Sequence, residues 1–198
     1  MKILMATDNK HKVKEIKNIL KGTGIELCTP KDLGIKNTDV KENGKTYFAN
    51  ALKKAKAFAK MTNLPVLADD SGLEIKILDN KPGILSSRFI GKDTPFYEKN
   101  LKILEKLKSL PKSKRSAKFV CCCVLIAPSG KVFKTTGQCA GFIYYKITGK
   151  HGFGYDPVFY LPAHEKTMAQ ISMKEKNKIS HRAKAFLKMK KYILKYCS

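Results

Sequence analysis

Apolar and polar positions follow two different periods at the start of the chain. The segment "KILMA", residues 2–6, is a short apolar run typical of a buried strand. The next segment, "TDNKHKVKEIKNILK", changes to a helical period that places Val13, Ile16 and Leu20 on one face. A polar turn therefore joins a strand to a helix, and a second short strand, "IELC", is predicted at residues 25–28.

A second amphipathic helix is predicted in "KTYFANALKKAKAFAK", residues 45–60. Asn50 and Lys54 are four residues apart, so they are expected to share a polar flank of this helix. The predicted apolar stripe consists of Phe48, Leu52, Ala55 and Ala59.

The stretch "VLADDSGLEI", residues 66–75, interrupts an apolar run with two adjacent acids, Asp69 and Asp70. We expect a turn at Gly72, followed by a further strand. Because successive residues on a strand point to opposite faces, both carboxylates cannot be solvated edge charges of a central strand. At least one is expected to face a cleft at the strand end, where a carboxylate suits Mg²⁺. The alternative is a structural turn in which an Asp side chain accepts backbone N–H groups.

The second half of the chain predicts a helix, a hairpin and a final helix. "TPFYEKNLKILEKLKSL" places Pro95 in the first turn of the helix, and "PSG" joins two β-segments at residues 117–127 and 131–145. Ser180 is a good N-cap for the final helix. The predicted apolar face of that helix consists of Phe186, Leu187, Ile193 and Leu194. Together these elements indicate one domain over residues 1–198, with a mixed α/β sheet.

Composition leaves two classes of function to compare. The formal net charge of +24 suits a nucleic-acid-binding protein, because lysine and arginine release counterions from phosphate backbones. Only three of the 40 basic residues are arginines, however, and the lysines are scattered along the whole chain. Arginine is the residue favoured for recognition of bases and phosphates, so a codon bias explains this charge better than selection for binding.

The cysteines and the N-terminus bear on the compartment. No Cys-x-x-Cys pair with a His partner is present, and residues 121–123 would alternate faces on a strand, which excludes one shared metal. Buried free thiols in a reducing compartment are expected. The first apolar run is too short for a secretory signal and no stretch is long enough to span a membrane, so we expect a cytoplasmic protein.

Three further segments carry candidate chemistry, each with a structural alternative. In the first loop, Thr7, Asn9 and Lys12 could hold a phosphate at the helix N-terminus, or Asp8 or Asn9 could simply cap the helix. In "GFGYDPVFY", Phe153 could stack on a planar ligand or fill the core. In "ISHRAKA", His181 and Arg182 lie in a first helical turn, where cations are disfavoured. A bound anion or a base carbonyl would explain them, as would plain solvent exposure.

In this order, "TDNKHKVKE", "YFANALKKA", "LADDSGLEI", "FGYDPVFY" and "ISHRAKA" resemble the inosine triphosphate pyrophosphatase family, also called Ham1-like. The resemblance runs from Thr7 to the final helix. It implies a mixed twisted central sheet flanked by helices, with two lobes around a nucleotide-binding cleft. It also implies a homodimer that uses Mg²⁺ to hydrolyse ITP, dITP and XTP to the monophosphate and pyrophosphate, keeping deaminated purines out of DNA and RNA. The alternative is a basic nucleic-acid-binding protein on the same fold with lost or reduced catalysis.

The resemblance assigns a role to each motif residue. Glu42 and Asp70 would bind the metal, and Asp70 would also be the catalytic base. The triphosphate would be held by Thr7, Asn9, Lys12, Lys54 and Lys176. The remaining substrate contacts would be Ser71, Phe153, Gly154, Tyr155, Asp156, Ser180, His181 and Arg182, with Phe153 stacked on the purine and the last three beside the base.

Two positions depart from the family pattern. Asp8 stands where the family usually has Gly, which adds a Cβ and a negative charge beside the expected phosphates. Ala49 stands where a Glu is frequent. Neither change removes a metal-binding carboxylate or a lysine, so the expected activity is unchanged.

Overall fold

A computed structural model describes residues 1–36 and 40–197 of the chain. Within these residues there are five α-helices and eight β-strands. The helices are α1 (Lys10–Ile19), α2 (Tyr47–Ala59), α3 (Phe96–Lys106), α4 (Met173–Ile179) and α5 (His181–Tyr196). The strands are β1 (Lys2–Met5), β2 (Glu26–Cys28), β3 (Val66–Ile75), β4 (Lys81–Pro82), β5 (Ser116–Ile126), β6 (Val132–Ile143), β7 (Phe159–Leu161) and β8 (Lys166–Thr167).

The strands form one mixed sheet in the order β2-β1-β3-β5-β6-β7-β8, and β4 pairs with β3. Strand β1 runs parallel to β2 and to β3, with Leu4 opposite Cys28 and Met5 opposite Leu67. The pairs β3–β4, β6–β7 and β7–β8 are antiparallel. Parallel strands need helical crossovers, which α1 and α2 supply, and β5 and β6 follow each other as a hairpin. The predicted mixed α/β sheet is confirmed.

The chain divides into two compact units. The first consists of Met1–Asp70, Cys121–Gly137 and His181–Ser198, and the second of Ser71–Val120 and Gln138–Ser180. The first unit contains two apolar clusters, and Cys121 and Cys123 lie in one of them while Cys122 lies in the other. The alternation predicted for the cysteine run is therefore confirmed. All six cysteines are free, as expected.

The core of the second unit is a single apolar cluster. Leu73 of β3, Ile103 of α3 and Ile143 of β6 are fully buried in it, and Tyr155 and Phe159 complete one side. This cluster places the loop before β7, which carries the aromatic motif of the sequence, directly on the core.

The turn predicted at Gly72 is wrong, because β3 is one continuous strand of 10 residues. A Cβ at Gly72 would lie 2.1 Å from the carbonyl oxygen of Gly83. Glycine is therefore required here for the close approach of another backbone segment and not for a change of direction. Asp69 and Asp70 consequently lie within a strand, with their side chains on opposite faces.

Two predicted helix faces differ from the observed ones. In α2 the buried residues include Ala51, Ala55 and Phe58, and Asn50 is completely buried instead of lying on a polar flank. In α5, Phe186 and Ile193 are buried as predicted, but Leu187 and Leu194 are 45% and 44% exposed. Met189 and the alanines of α5 take their place because the buried stripe follows positions 182, 185, 186, 189 and 193.

The short helix α4 and the short strands β4, β7 and β8 were not predicted. The start of α4 does have a sequence signature, since Ser172 and Glu175 form a capping box. The short strands contain only two or three residues, too few to show a period. Among the described residues, no helix has the length and apolar character needed to cross a membrane.

Candidate functional site

The loop between β1 and α1 is ordered by its own side chains. Asn9 is the N-cap of α1, and its Oδ1 accepts the backbone N–H groups of His11 at 3.0 Å and Lys12 at 3.2 Å. The Oγ1 of Thr7 accepts the N–H of Asn9 at 3.3 Å. The capping alternative is thus confirmed for Asn9, and the exposed Asp8 does not provide the cap. The cap directs the side chain of Lys12 inward from the first turn of α1.

Asp69 is the acidic end of a buried charge network in the first unit. Its carboxylate accepts from the Nζ of Lys12 at 3.1 Å and lies 3.5 Å from the Nε of Arg182. Burial alone would raise the pKa of Asp69, but the two cations, together with Lys54, outweigh burial and hold the pKa well below its usual range. Asp69 therefore stays ionised at neutral pH and anchors Lys12 and Arg182.

Asp70, the next residue of β3, has different surroundings. The Nδ2 of Asn50 donates to its Oδ2 at 2.9 Å. Burial raises the pKa of Asp70, and the opposing effects of Lys54 and Asn50 do not cancel that shift. Of the two adjacent carboxylates, Asp70 is thus the better proton acceptor near neutral pH, because an elevated pKa brings a carboxylate closer to the optimum of a general base.

Glu42 and Lys54 form an ion pair beside Asp70, with 2.6 Å between Nζ and Oε1. Burial alone would lower the pKa of Lys54, but Asp69, Glu42 and Asp70 together raise it. Lys54 therefore stays charged among three carboxylates. Glu42 lies just before α2 and Lys54 lies within this helix. This arrangement brings the ion pair close to Asp69 and Asp70.

Arg182 is buried. Solvent exposure, the alternative explanation for a cation in this first helical turn, is therefore excluded for Arg182. Its NH1 donates to Oε2 of Glu15 at 2.6 Å, and the side chains are only 2% and 1% exposed. His181, in the same first turn of α5, is also buried. The cation that disagrees with the helix dipole is thus compensated by carboxylates from α1 and β3.

The second unit contains the aromatic loop. The Oδ2 of Asp156 accepts the N–H of Phe153 at 2.8 Å and binds the Nζ of Lys176 at 2.5 Å. Lys176 and Asp156 are each only 3% exposed, and the Nζ of Lys176 lies 4.8 Å from the centre of the Phe153 ring. A Cβ at Gly152, where φ is +75°, would lie 2.1 Å from Asp156. Phe153 itself is half-buried, so part of its ring is accessible.

Tyr155 and Gly154 attach this loop to neighbouring segments of the second unit. The hydroxyl of Tyr155 donates to the carbonyl oxygen of Ser86 at 2.8 Å, and its ring lies perpendicular to that of Phe96, with 5.2 Å between the ring centres. The Nδ2 of Asn100 donates to the carbonyl oxygen of Gly154 at 3.0 Å. Tyr155 is 3% exposed and lies in the core, so its ring anchors the loop instead of offering a face to a ligand.

The site residues predicted from the sequence fall into two groups. Ser71 follows Asp70 on β3 and is half-buried, and Ser180 is fully buried between α4 and α5. The first unit contains Thr7, Asn9, Lys12, Glu42, Lys54, Asp70, His181 and Arg182. The second contains Ser71, Phe153, Gly154, Tyr155, Asp156, Lys176 and Ser180.

Sequence reasoning missed three supporting residues. Glu15 holds Arg182, Asn50 binds Asp70, and Asn100 binds the aromatic loop. All three are polar residues on the buried faces of amphipathic helices. A polar side chain beside an apolar helical stripe is the signal that could have identified them, although it does not identify the partner.

The fold and the two groups of side chains define a class. The first unit combines lysines with buried carboxylates, a combination suited to phosphates and a divalent cation. The second combines an accessible aromatic ring with hydrogen-bonding groups, which suits a planar base. An α/β protein with these two features belongs to the nucleotide-processing proteins.

Comparison with known proteins identifies the family. The sequence model of the Ham1 family matches residues 3–192. A "dITP/XTP pyrophosphatase" of Thermoanaerobacter pseudethanolicus is 44% identical over 195 residues, covering 98% of each chain. One of Clostridium perfringens is 40% identical, covering 96% of this chain and 95% of the relative. A solved HAM1 protein from Coxiella burnetii is 37% identical with a TM-score of 0.87, covering 98% of this chain and 99% of that one. The chain belongs to the Ham1 family.

Proposed function

We propose that this protein hydrolyses dITP, XTP and ITP to the nucleoside monophosphate and pyrophosphate. The main structural support is the carboxylate of Asp70, which is buried, accepts a hydrogen bond from Asn50 and interacts with the charged Lys54. Burial raises the pKa of this carboxyl group. The names of relatives more than 40% identical over nearly the whole chain support the substrate class. In the cell, this reaction would keep deaminated purines out of DNA and RNA.

Glu42 and Asp70 are the residues that would hold Mg²⁺. Among the described residues no group of three or more His, Cys, Asp or Glu could form a metal cage. Mg²⁺ does not require one, because it commonly binds through one or two carboxylates together with waters and substrate phosphates. Both carboxylates interact with the charge of Lys54, and the charge of Glu42 helps to raise the pKa of Asp70, which fits such an open site. When bound, Mg²⁺ would neutralise phosphate charge and polarise the phosphoryl oxygens.

Lys12 and Lys54 would bind the triphosphate. Each is already paired with a carboxylate, Asp69 or Glu42. An ammonium group has three N–H donors, so such a pair leaves donors for phosphate oxygens. Because the carboxylates hold both lysines in place beforehand, the positive charge is positioned for the pyrophosphate leaving group without reorganisation.

Asp70 would accept the proton of the attacking water. The water oxygen forms a bond to the α-phosphorus, its proton moves to the carboxylate of Asp70, and the bond from the α-phosphorus to the bridging oxygen breaks. Pyrophosphate leaves with the electrons of that bond. The raised pKa of Asp70 supports this role, since a carboxylate of ordinary pKa is a weaker base.

Phe153 would stack on the purine, and Lys176 would lie beside the base. The Nζ of Lys176 is held by Asp156 over the Phe153 ring, so its contacts favour the base over the phosphates. Ser180 and His181 remain the residues proposed to recognise the 6-oxo group, whereas Arg182 was expected to do so with them. The buried pairing of Arg182 with Glu15 favours a supporting role for its guanidinium.

One assay tests the proposed activity. The folded protein is incubated with ITP, dITP, XTP, ATP or GTP and Mg²⁺, and released pyrophosphate is measured. We expect release from the first three and little from ATP or GTP. No turnover of any nucleotide would overturn the proposal, and tight, steeply salt-dependent binding of duplex DNA or RNA by the same inactive protein would favour the nucleic-acid-binding alternative.

The proposal includes a cytoplasmic homodimer. The nucleotide pools that the enzyme would cleanse are in the cytoplasm, and the family resemblance implies the dimer. Light scattering after gel filtration measures the oligomeric state, and a fluorescent fusion locates the protein. A monomer at micromolar concentration would contradict the dimer without affecting the proposed chemistry.

A further inference from the structure

Asn50 joins two segments that carry the carboxylates proposed to bind metal. It is completely buried in α2 and uses both ends of its amide. Its Nδ2 donates to Oδ2 of Asp70 at 2.9 Å, and its Oδ1 accepts the backbone N–H of Gly44 at 2.8 Å. Gly44 lies two residues after Glu42. One rigid amide therefore connects Asp70 of β3 with the loop that carries Glu42.

The orientation of this amide is determined by its partners. A backbone N–H can only donate, so the atom facing Gly44 must be the amide oxygen. The NH₂ group must then face Asp70. An Asp at position 50 has nearly the same shape, but it would present an acceptor or a negative charge to Asp70 in place of a donor.

Gly44 has no space for a side chain. A Cβ there would lie 2.7 Å from Oδ1 of Asn50 and 2.8 Å from the Cβ of Ala49. The backbone of the loop therefore rests directly on α2. An alanine at position 44 would lift the loop away from the amide of Asn50.

Two more contacts bind the same loop to α2. Glu42 pairs with Lys54, and the side chain of Asn43 accepts a hydrogen bond from Lys53. The side chains of both lysines are flexible and can follow the loop if it is displaced. Asn50 differs from them because it is short, buried and bound to Asp70 at its other end, so it alone of these three contacts sets the distance between the loop and β3.

We infer that Asn50 is a positioning residue, which holds the Glu42 loop against Asp70 and thereby prepares the pair of carboxylates for a divalent cation. Residues that orient metal ligands typically change metal affinity by about 10–100-fold when they are replaced. This inference rests on the proposed metal-binding role of Glu42 and Asp70.

Binding of Mn²⁺ alone, measured by electron paramagnetic resonance without nucleotide, tests the inference. We expect Asn50→Asp and Gly44→Ala each to weaken Mn²⁺ binding by about tenfold or more. The sign is decisive for Asn50→Asp, because an added negative charge beside the site would by itself strengthen cation binding. Equal or tighter binding by this variant would overturn the inference.

The controls separate the possible failures. Asn63→Asp makes the same change at an exposed position after α2 and should bind Mn²⁺ like the wild type. Glu42→Gln and Asp70→Asn should both lose binding, and normal binding by both would overturn the metal site itself. Loss in these two with wild-type binding in Asn50→Asp and Gly44→Ala would overturn only the role of Asn50.

A second readout distinguishes positioning from general loss of structure. Excess Mg²⁺ should restore most of the turnover of Gly44→Ala, because both carboxylates remain in that variant, whereas Asp70→Asn should not be rescued. If Asn50→Asp does not fold, as judged by circular dichroism, Gly44→Ala decides the outcome, since it disturbs the same contact from the loop side. Wild-type Mn²⁺ affinity in folded Gly44→Ala would then overturn the inference.

Discussion

The two units each bury an ion pair but surround it differently. In the first unit, Arg182 and Glu15 belong to a network with three further carboxylates and two lysines. In the second, Lys176 and Asp156 form a compact pair whose other contacts are a backbone N–H and an aromatic ring. The charged groups of the first arrangement can pair with the charges of a ligand. The second arrangement is a neutral pair that holds the ring of Phe153 in place.

The difference shows that burial can either shift the pKa values of acidic groups or fix a loop in place. Asp69 and Asp70 are neighbours on one strand, yet their pKa values are shifted in opposite directions because different side chains approach the two faces. Asp156 differs from this pair of acids, because one of its oxygens, Oδ2, binds both the Nζ of Lys176 and the backbone N–H of Phe153. We therefore expect substitution of Asp70 in the first unit to reduce turnover, and substitutions around Asp156 in the second unit to reduce stability or substrate affinity.

The largest expected effect is that of Asp70→Asn on turnover. Removal of the general base should reduce kcat by about 10²–10⁴-fold while the fold persists. Pyrophosphate release at saturating substrate measures the loss. Glu74→Gln is the matched control, since it makes the same change on the same strand at a residue paired with Lys118, and its kcat should not change. Near-normal turnover in Asp70→Asn would move the catalytic role elsewhere, first to Asp69.

The same variant has a consequence for stability with a defined sign. Because burial raises the pKa of Asp70 in the folded state, its ionisation lowers the free energy of unfolding as pH rises through the unfolded value of about 3.9 and up to the folded value. Asp70→Asn should therefore be at least as stable as the wild type at pH 7. Asp69→Asn should be less stable there, because the low pKa of Asp69 stabilises the fold above its unfolded value. Thermal unfolding at several pH values compares them.

The next largest effect is expected for the ion pair of the second unit. Lys176→Met leaves the carboxylate of Asp156 buried without its cation, which should lower the free energy of unfolding by about 3–5 kcal/mol. Urea denaturation measures the change. Lys102→Met breaks an exposed pair with Glu105 in the same unit and should cost less than about 1 kcal/mol. Equal losses in the two variants would mean that the buried pair does not hold the loop.

The smallest effect is expected for Phe153→Ala. Loss of stacking worth about 1–3 kcal/mol corresponds to a rise in KM of roughly 5–150-fold, with little change in kcat. Steady-state kinetics with dITP gives both constants. Tyr97→Ala removes an aromatic ring that is 63% exposed, and its KM should stay at the wild-type value. An unchanged KM in Phe153→Ala would argue against stacking on the purine.

Much of the fold followed from local patterns. The helices α1, α2, α3 and α5 and the longer strands show clear periods over ten or more residues, or stand between strong turn residues, and each was predicted. Asn9 was predicted as a possible cap because Asn has a side-chain oxygen at the correct distance from the next N–H groups. Local chemistry needs no knowledge of distant residues.

Contacts between distant residues could not be predicted in the same way. The sequence around Gly72 predicts a turn, but the backbone of Gly83 lies against Gly72, and only the folded chain brings the two together. Leu187 and Leu194 were assigned to the buried face of α5, because position along a helix does not show how wide the covered stripe is.

The sequence alone determined which chemical groups are present: acids on consecutive strand positions, lysines in widely separated segments of the chain, and an aromatic between two glycines. Motif order was enough to identify the family. Tertiary structure decided which acid has a lowered pKa and which a raised one, because burial and charge act over a few ångströms between residues far apart in the chain. It also decided that Asn50, an ordinary helix residue by pattern, lies between Gly44 and Asp70.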